Sequence, residues 1–317
     1  MARVAAIDCG TNSIRLLVAD VTTGDDGAHW LRDVHREMCV VRLGQGVDAT
    51  GVLAPEAIAR TRAALLDYTA VLRRKGTERV RMVATSATRD AANRDEFFAM
   101  TAEVLGVEAE VITGDEEARL SFTGAVADQA PEDGPFLVSD VGGGSTELVR
   151  GSWDGVTASV EAARSVDIGC VRLTERCLRS DPPTPAEVEQ AVRVAGDVLA
   201  EAFAAVPVAK ARGWIGVAGT VTTLAAIAKD LTAYDPDEIH LARLPLEQVR
   251  EITERLIGMT RDERAAIGAM HPGRVDVIIG GALVVRTIAD HLAAHTEVAE
   301  LVASEHDILD GIAFALA

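Results

Sequence analysis

An α/β fold in two similar halves is what this sequence predicts, and three observations predict it. A short apolar run, an aspartate, a turn of small residues and a second apolar run occur together twice. The first copy has apolar residues 4–7, Asp8, the turn 10–13 and apolar residues 14–19; the second has 136–138, Asp140, Gly142–Ser145 and 148–149. Strand, Asp-x-Gly, Thr/Ser and strand is too specific an order to recur by chance, so the two stretches read as an internal repeat, each half supplying one loop to a shared cleft. Strand-like and helix-like periods alternate in both halves, the pattern of sheets covered by helices. The marks of other nucleotide folds are missing. No Gly-x-Gly-x-x-Gly opens a helix after the first strand, no Gly-Lys-Ser/Thr closes a phosphate loop, and Gly10 and Gly142 lead into strands, which disfavours a dinucleotide or Walker fold.

Taken in order, the first hairpin gives way to an acidic turn at 22–27, strands over 29–34 and 38–43, and a flexible loop at Gly44–Gly46. Pro55 opens a helix, Ile58, Leu65 and Leu72 mark one face, and Gly76 stops it. A strand over 80–84 follows. Asn93 with Glu96 is a capping signature for a helix that carries Phe97, Met100 and Val104 into the core and ends at Gly106. A strand over 108–112 leads to the Gly114 turn and a helix opened by Asp115, Glu116 and Glu117, where the helix dipole favours acids. The loop 128–135 is the expected boundary, giving domains 1–127 and 128–317.

The second half continues from its hairpin to a strand over 157–167, a short helix and a proline-rich loop at 182–185. Thr184, Pro185 and Glu187 start a helix reaching about residue 205. A strand over 213–217 ends where Gly219 and Thr220 begin a helix whose amino end suits phosphate. Residues 234–239 read as loop, Pro245 starts a helix to 256, and Thr260 with Glu263 starts another. A strand over 275–279, a Gly280–Gly281 turn and a helix through 288 follow. The last helix, within 305–317, is expected to pack back at the domain junction.

Composition narrows the function. Of 317 residues, 48% are hydrophobic but 3% aromatic, so the core is built from Ala, Val, Leu and Ile, and stacking platforms for nucleic acid are not expected. A net charge of −18 repels nucleic acid and anionic membranes, and a polyanionic substrate then needs a local cationic pocket or a bound metal. Cys9, Cys39, Cys170 and Cys177 form no Cys-x-x-Cys pair, in keeping with a reduced, cytoplasmic setting. Asp8 interrupts the one leader-like apolar segment, and no apolar run approaches membrane-spanning length.

Four junctions of small residues are expected at one cleft: the two Asp-x-Gly loops, the Gly219–Thr220 helix start and the Gly280–Gly281 turn. Glycine permits close approach of ligand to backbone, and successive N–H groups of such turns form anion nests. Asp140, Glu147 and Asp8 are the carboxylates placed to share a divalent cation with phosphate oxygens. Glu117 is the candidate to orient and activate water, and Arg89, Arg15 and Arg274 are candidates for further oxyanions, which arginine holds bidentately. His271 and His291 read as ordinary surface or helix residues.

Six stretches carry a resemblance: AIDCGTNSIRLLVAD, VATSATRDAANRDEF, ITGDEEARLSFTG, VSDVGGGSTELV, GVAGTVTTLA and RVDVIIGGALVV. They span nearly the whole chain, and together the sequence resembles the exopolyphosphatase and guanosine pentaphosphate phosphohydrolase family. The resemblance implies two ribonuclease-H-like domains of the actin–hexokinase–Hsp70 superfamily with a cleft between them. It implies release of terminal orthophosphate from inorganic polyphosphate, with Mg²⁺ or Mn²⁺ and an assisting ion such as K⁺. By motif, Glu117 resembles the glutamate that activates water. Asp140 and Glu147 match the acids around the glycine loop, and Arg89 the arginine of the Ser-Ala-x-Arg segment. Thr11, Asn12, Ser13 and Arg15, together with Asp8, match the first phosphate loop; Gly142, Gly143, Gly144, Ser145 and Thr146 match the second; Arg274 matches an arginine before the late glycines. Long bacterial members carry extra C-terminal helical domains, whereas this chain resembles the short two-domain type, for which a homodimer is expected. The alternatives are 5′-phosphate removal from guanosine pentaphosphate (pppGpp), which shares the same residues, an ATPase or sugar kinase, and a polyphosphate or nucleotide sensor without turnover.

Overall fold

The computed structural model describes residues 2–24 and 29–316, so residues 25–27 of the expected acidic turn lie outside the described residues. Strands β1 (Ala2–Cys9) and β2 (Ser13–Thr23) form the first hairpin, and β3 (His29–Val40) continues it. Helices α1 (Val47–Thr50) and α2 (Pro55–Lys75), strand β4 (Arg79–Ala84), helices α3 (Ser86–Asp90) and α4 (Arg94–Leu105) and strand β5 (Glu110–Val111) complete the first sheet, ordered β3-β2-β1-β4-β5. Helix α5 (Gly114–Val126) crosses to the second half.

There, β6 (Phe136–Val141), β7 (Thr146–Trp153) and β8 (Ala158–Val166) form the second meander, followed by α6 (Cys170–Cys177) and α7 (Pro185–Ala205). Strand β9 (Gly213–Val217), α8 (Ala218–Ala228), α9 (Pro236–Ile239), β10 (Arg243–Pro245), α10 (Leu246–Gly258), α11 (Arg261–Ala265), α12 (Ile278–His295), β11 (Glu300–Ala303) and α13 (Ile308–Ala315) follow. The second sheet, β10-β11-β9-β6-β7-β8, repeats the first with β6 in the place of β1, and adds β10 at one edge. In both, the central strand pairs antiparallel with the next strand and parallel with a later one. These are the two mixed α/β sheets that the repeat predicts.

Side-chain alternation decides what each face meets. Ala5, Ile7 and Cys9 of β1 point into a core with α2 and α4, whereas Val4 and Ala6 point to the face covered by Ile308, Leu309, Ile312 and Ala313 of α13. In β6, Leu137 and Val141 join the large core with α7, α8 and α12, whereas Phe136 and Val138 meet Ala118, Phe122 and Ala125 of α5. Each sheet is therefore closed by a helix from the other half of the chain. The sequence cut at 127 follows chain order; by packing, α5 belongs to the second sheet and α13 to the first. The two helices cross at glycines. A Cβ on Gly124 would lie 1.8 Å from the Asp307 carbonyl oxygen, and one on Gly311 would lie 2.0 Å from that of Leu120.

Several local expectations change. The segments 29–34 and 38–43 are largely one strand, β3, with a register shift opposite Val18 and Ala19; its charged centre is tolerated because β3 is an edge strand. Asn93 does not cap α4: its side chain accepts from the Leu53 N–H at 2.8 Å and donates to the Leu53 carbonyl at 3.0 Å. The strand over 108–112 shrinks to β5, and 234–239 contains the short α9. Residues 275–279 are not a strand. Ile278 and Ile279 begin α12, apolar and buried on most sides, and a short apolar run does not by itself separate a strand from a buried helix. The capping boxes at Thr184–Glu187 and Thr260–Glu263 form as expected.

Candidate active site

The two Asp-x-Gly hairpins meet across the cleft with the same internal geometry. Asp8 pairs across the ladder with Arg15, and the Gly10 N–H donates to the Ser13 carbonyl at 3.0 Å. Asp140 pairs with Glu147, and the Gly142 N–H donates to the Ser145 carbonyl at 3.1 Å. The loops interlock: a Cβ on Gly144 would meet Ser86 Oγ at 2.5 Å and Thr11 Oγ1 at 2.7 Å. Alternation turns Asp8 toward the α13 face and Asp140 toward the α5 face, so both carboxylates point into the space between the domains.

A cavity of about 70 Å³ lies between the loops. Asp8, Thr11, Asn12, Ser13, Arg15, Glu117, Asp140, Gly142, Gly143, Gly144, Ser145, Gly219 and Arg274 all line it. It adjoins a larger cavity of about 480 Å³, and Arg15, Ala218, Gly219 and Arg274 border both. Gly219 makes room for this: a Cβ there would lie 1.7 Å from the Arg274 guanidinium. Ala218 just before it holds a left-handed φ of 66°, a strained conformation for a side chain with a Cβ.

The charges are unevenly compensated. Arg15 donates to Asp8 Oδ2 at 2.6 and 3.1 Å and also grips Asp307, the N-cap of α13. Burial still raises Asp8 above the usual carboxylate range, with Arg15 opposing. Asp140 accepts from Ser121 Oγ at 2.5 Å, and burial, aided by Asp307, pushes it up to about 6. Glu117 on α5 is held by Arg89 Nη1 at 2.7 Å, and burial pushes it up to about 7 although Arg89 opposes. Glu147 accepts from Ser165 Oγ at 2.6 Å and is pushed well up, through burial and then the charges of Glu117 and Asp140. Arg274 makes no ion pair or side-chain hydrogen bond among the described residues, and burial lowers its pKa. Asp8 Oδ1, Thr11 Oγ1 and Asn12 Nδ2 are buried without hydrogen-bond partners among the described residues.

Some expected site residues do not line the small cavity. Arg89 lies behind Glu117 and also donates to the Ile112 carbonyl at 3.0 Å, so it orients the glutamate. Glu147 is buried behind Asp140. Thr146 donates to the Ile168 carbonyl at 2.6 Å. Thr220 faces Gly281, and Gly280 and Gly281 lie inside α12 against Cys170, Thr174 and Thr220, where glycine serves helix packing rather than a phosphate turn. His271 lines the larger cavity, and His291 stacks on Phe203 with centroids 3.6 Å apart. Two residues absent from the sequence reading matter here. Asp307 is signalled only by the capping pattern Asp307-x-x-Asp310. Arg172 of α6 ties the domains, donating to the Gly144 carbonyl at 2.8 Å and to Asp48 at 2.7 Å.

The Ppx/GppA phosphatase family model matches residues 17–314. The chain belongs to this family. Exopolyphosphatase 2 of Mycobacterium tuberculosis is 59% identical over 322 residues, covering 100% of this chain and 99% of that protein. Among solved structures, an exopolyphosphatase-like protein is 44% identical with a TM-score of 0.92, covering 100% of this chain and 98% of the other. A Ppx/GppA family member from Aquifex aeolicus is 31% identical with a TM-score of 0.79, covering 99% and 97%. The fold is thus the two-domain fold of the Ppx/GppA enzymes that the sequence resemblance implies.

Proposed function

We propose that the protein is an exopolyphosphatase that releases terminal orthophosphate from inorganic polyphosphate with a water molecule activated by Glu117. The observation that carries this is the small cavity: it brings a buried glutamate poised near neutral pH against two loops of hydroxyl and glycine residues. A base with a pKa near the working pH combines availability with proton affinity. The similarity along the whole chain to an exopolyphosphatase supports the substrate class.

In this reading Thr11, Asn12, Ser13, Arg15 and the backbone of 142–145 hold the terminal phosphoryl oxygens, and Gly219 and Arg274 hold the next phosphate at the mouth of the larger cavity. Arg89 fixes Glu117. Glu117 takes a proton from water as the water oxygen attacks the terminal phosphorus; the bond from that phosphorus to the bridging oxygen breaks, the bridging oxygen departs with the chain shortened by one phosphate, and the terminal phosphorus is released as orthophosphate. The donor set fits Mg²⁺ or Mn²⁺: buried carboxylates that raise one another's pKa and an unpartnered Asp8 oxygen are hard ligands short of positive charge. Asp140 and Asp8 would hold the ion, with Glu147 supporting Asp140. These three acids do not form a cage with ligand atoms within 4.8 Å, as suits Mg²⁺, which keeps waters and substrate oxygens. A bound cation would neutralise phosphate oxygens. The reading extends to K⁺ as an assisting ion and to a cytoplasmic homodimer; no helix among the described residues is long and apolar enough to cross a membrane.

The larger cavity favours a second reading, pppGpp 5′-phosphohydrolase. Met38, Tyr234, Pro236, Met270 and Pro272 give it apolar walls beside Arg274, a setting suited to a nucleobase as well as to a continuing chain. Phosphate release with Mg²⁺ from chain-length-defined polyphosphates, pppGpp and ATP, with a Glu117→Gln control, separates the readings. Polyphosphate turnover that collapses in the variant supports the first; preferential pppGpp turnover moves the assignment to the second; inactivity on every substrate supports a sensor.

A further inference from the structure

Away from the cleft, three side chains from separate segments converge. Asp128 lies just past α5, His240 just past α9, and His306 just before α13. One ligand-capable atom of each lies within 4.8 Å of the others, the one such group among the described residues. Asp128 Oδ2 is 2.5 Å from His306 Nδ1 and 3.5 Å from His240 Nε2, and the two imidazole centroids are 4.6 Å apart. The side chains are 37%, 22% and 33% exposed for Asp128, His240 and His306, open enough for an ion to enter and covered enough to hold their rotamers.

We propose that Asp128, His240 and His306 form a binding site for a divalent transition cation of the zinc class, separate from the cleft. Two imidazoles and one carboxylate suit Zn²⁺ or Co²⁺, whereas Mg²⁺ and Ca²⁺ favour all-oxygen sets. In the metal-free form the Asp128 carboxylate is hydrogen-bonded to His306 and lies 3.5 Å from His240 Nε2. Loading exchanges that bonding, and the long 3.3 Å contact from the Glu305 N–H to His240 Nδ1, for metal–ligand bonds of about 2.0–2.2 Å, with water completing the shell.

The position gives the site a consequence. Helix α5 carries Glu117 and ends at Val126, two residues before Asp128; α13 starts beside His306 at its N-cap Asp307, which grips Arg15. A cation shared by Asp128 and His306 ties the end of one crossing helix to the start of the other. It thereby clamps the Gly124–Gly311 crossing on which both domains rest.

The test uses untagged protein in buffer with excess Mg²⁺, titrated with Zn²⁺ by calorimetry and with Co²⁺ by visible absorption. The expected result is one Zn²⁺ per chain, visible ligand-field bands with Co²⁺, and a Tm that rises on loading. His240→Gln retains the Asp128–His306 pair, so it keeps the fold's own contact while removing a ligand. His240→Gln and Asp128→Asn should each weaken Zn²⁺ at least about ten-fold, and Glu117→Gln should leave Zn²⁺ affinity unchanged. Unaltered affinity in either ligand variant, or no binding at a ten-fold excess, overturns the proposal.

Discussion

The two hairpins at the cleft share register and turn bonding, yet differ in the residue that faces the aspartate: Arg15 stands across from Asp8, and Glu147 stands across from Asp140. In the first hairpin the arginine compensates both Asp8 and Asp307. In the second the glutamate adds negative charge to a buried aspartate, and both are pushed upward. One backbone unit thus serves two purposes. The first loop carries hydroxyl, amide and guanidinium donors, which the proposed function assigns to phosphate oxygens; the second concentrates carboxylate, which it assigns to a cation. The same division appears in the crossing helices, since α13 brings an acid already held by arginine, whereas α5 brings Glu117, the base of the proposed reaction.

The largest effect that would break this comparison is on Glu117. Glu117→Gln keeps shape and removes proton acceptance, and should lower kcat by about 10²–10⁴-fold with the fold intact by circular dichroism; activity within a few-fold of the parent would remove Glu117 from the role of base. Next, Arg15→Ala leaves Asp8 and Asp307 buried without their cation and should cost about 3–5 kcal/mol in chemical denaturation. The equivalent change in the other hairpin, Glu147→Gln, should act in the opposite direction on the metal-free protein at alkaline pH, where Glu147 is ionised, raising its Tm by removing a buried repulsive charge, while lowering Mg²⁺-dependent activity. Equal signs for the two variants would show that the hairpins are electrically alike. At the crossing, Gly124→Ala forces a methyl against the Asp307 carbonyl and should cost about 1–3 kcal/mol or more, with a fall in activity because Asp307 moves with it.

The smallest effect is on pH dependence. Glu117 rises from 4.5 to about 7 and Asp140 from 3.8 to about 6 on folding. A carboxyl raised in the folded state contributes stability that is full below its unfolded pKa and lost as pH rises through the folded one. The metal-free Tm should therefore fall as pH rises from 3.8 to about 7, and Mg²⁺ should flatten the slope. A flat metal-free profile by differential scanning fluorimetry would mean that the carboxylates are compensated in the fold.

Much of the site was legible because its loops are local. The two Asp-x-Gly hairpins are read from spacing alone, with Asp140 and Glu147 on either side of the second turn, and capping boxes such as Thr184–Glu187 act within one turn. What was misread depended on partners far along the chain. Asn93 reads as a cap until Leu53 is seen beside it. The apolar run at 275–279 reads as a strand until the neighbours that bury α12 are known. Arg89 reads as an oxyanion ligand until Glu117 is found at its tip.

By itself, then, the sequence determined the α/β class, the internal repeat, the two Asp-x-Gly hairpin loops and the acidic residues around them, since these follow from short-range periodicity and turn chemistry. Only the tertiary structure decided that each sheet is closed by a helix from the opposite half, that Arg15 joins Asp8 to Asp307, and that burial lifts Glu117 toward neutral pH. Those properties arise from desolvation and from contacts as long as the 292 residues between Arg15 and Asp307, and no local pattern encodes them.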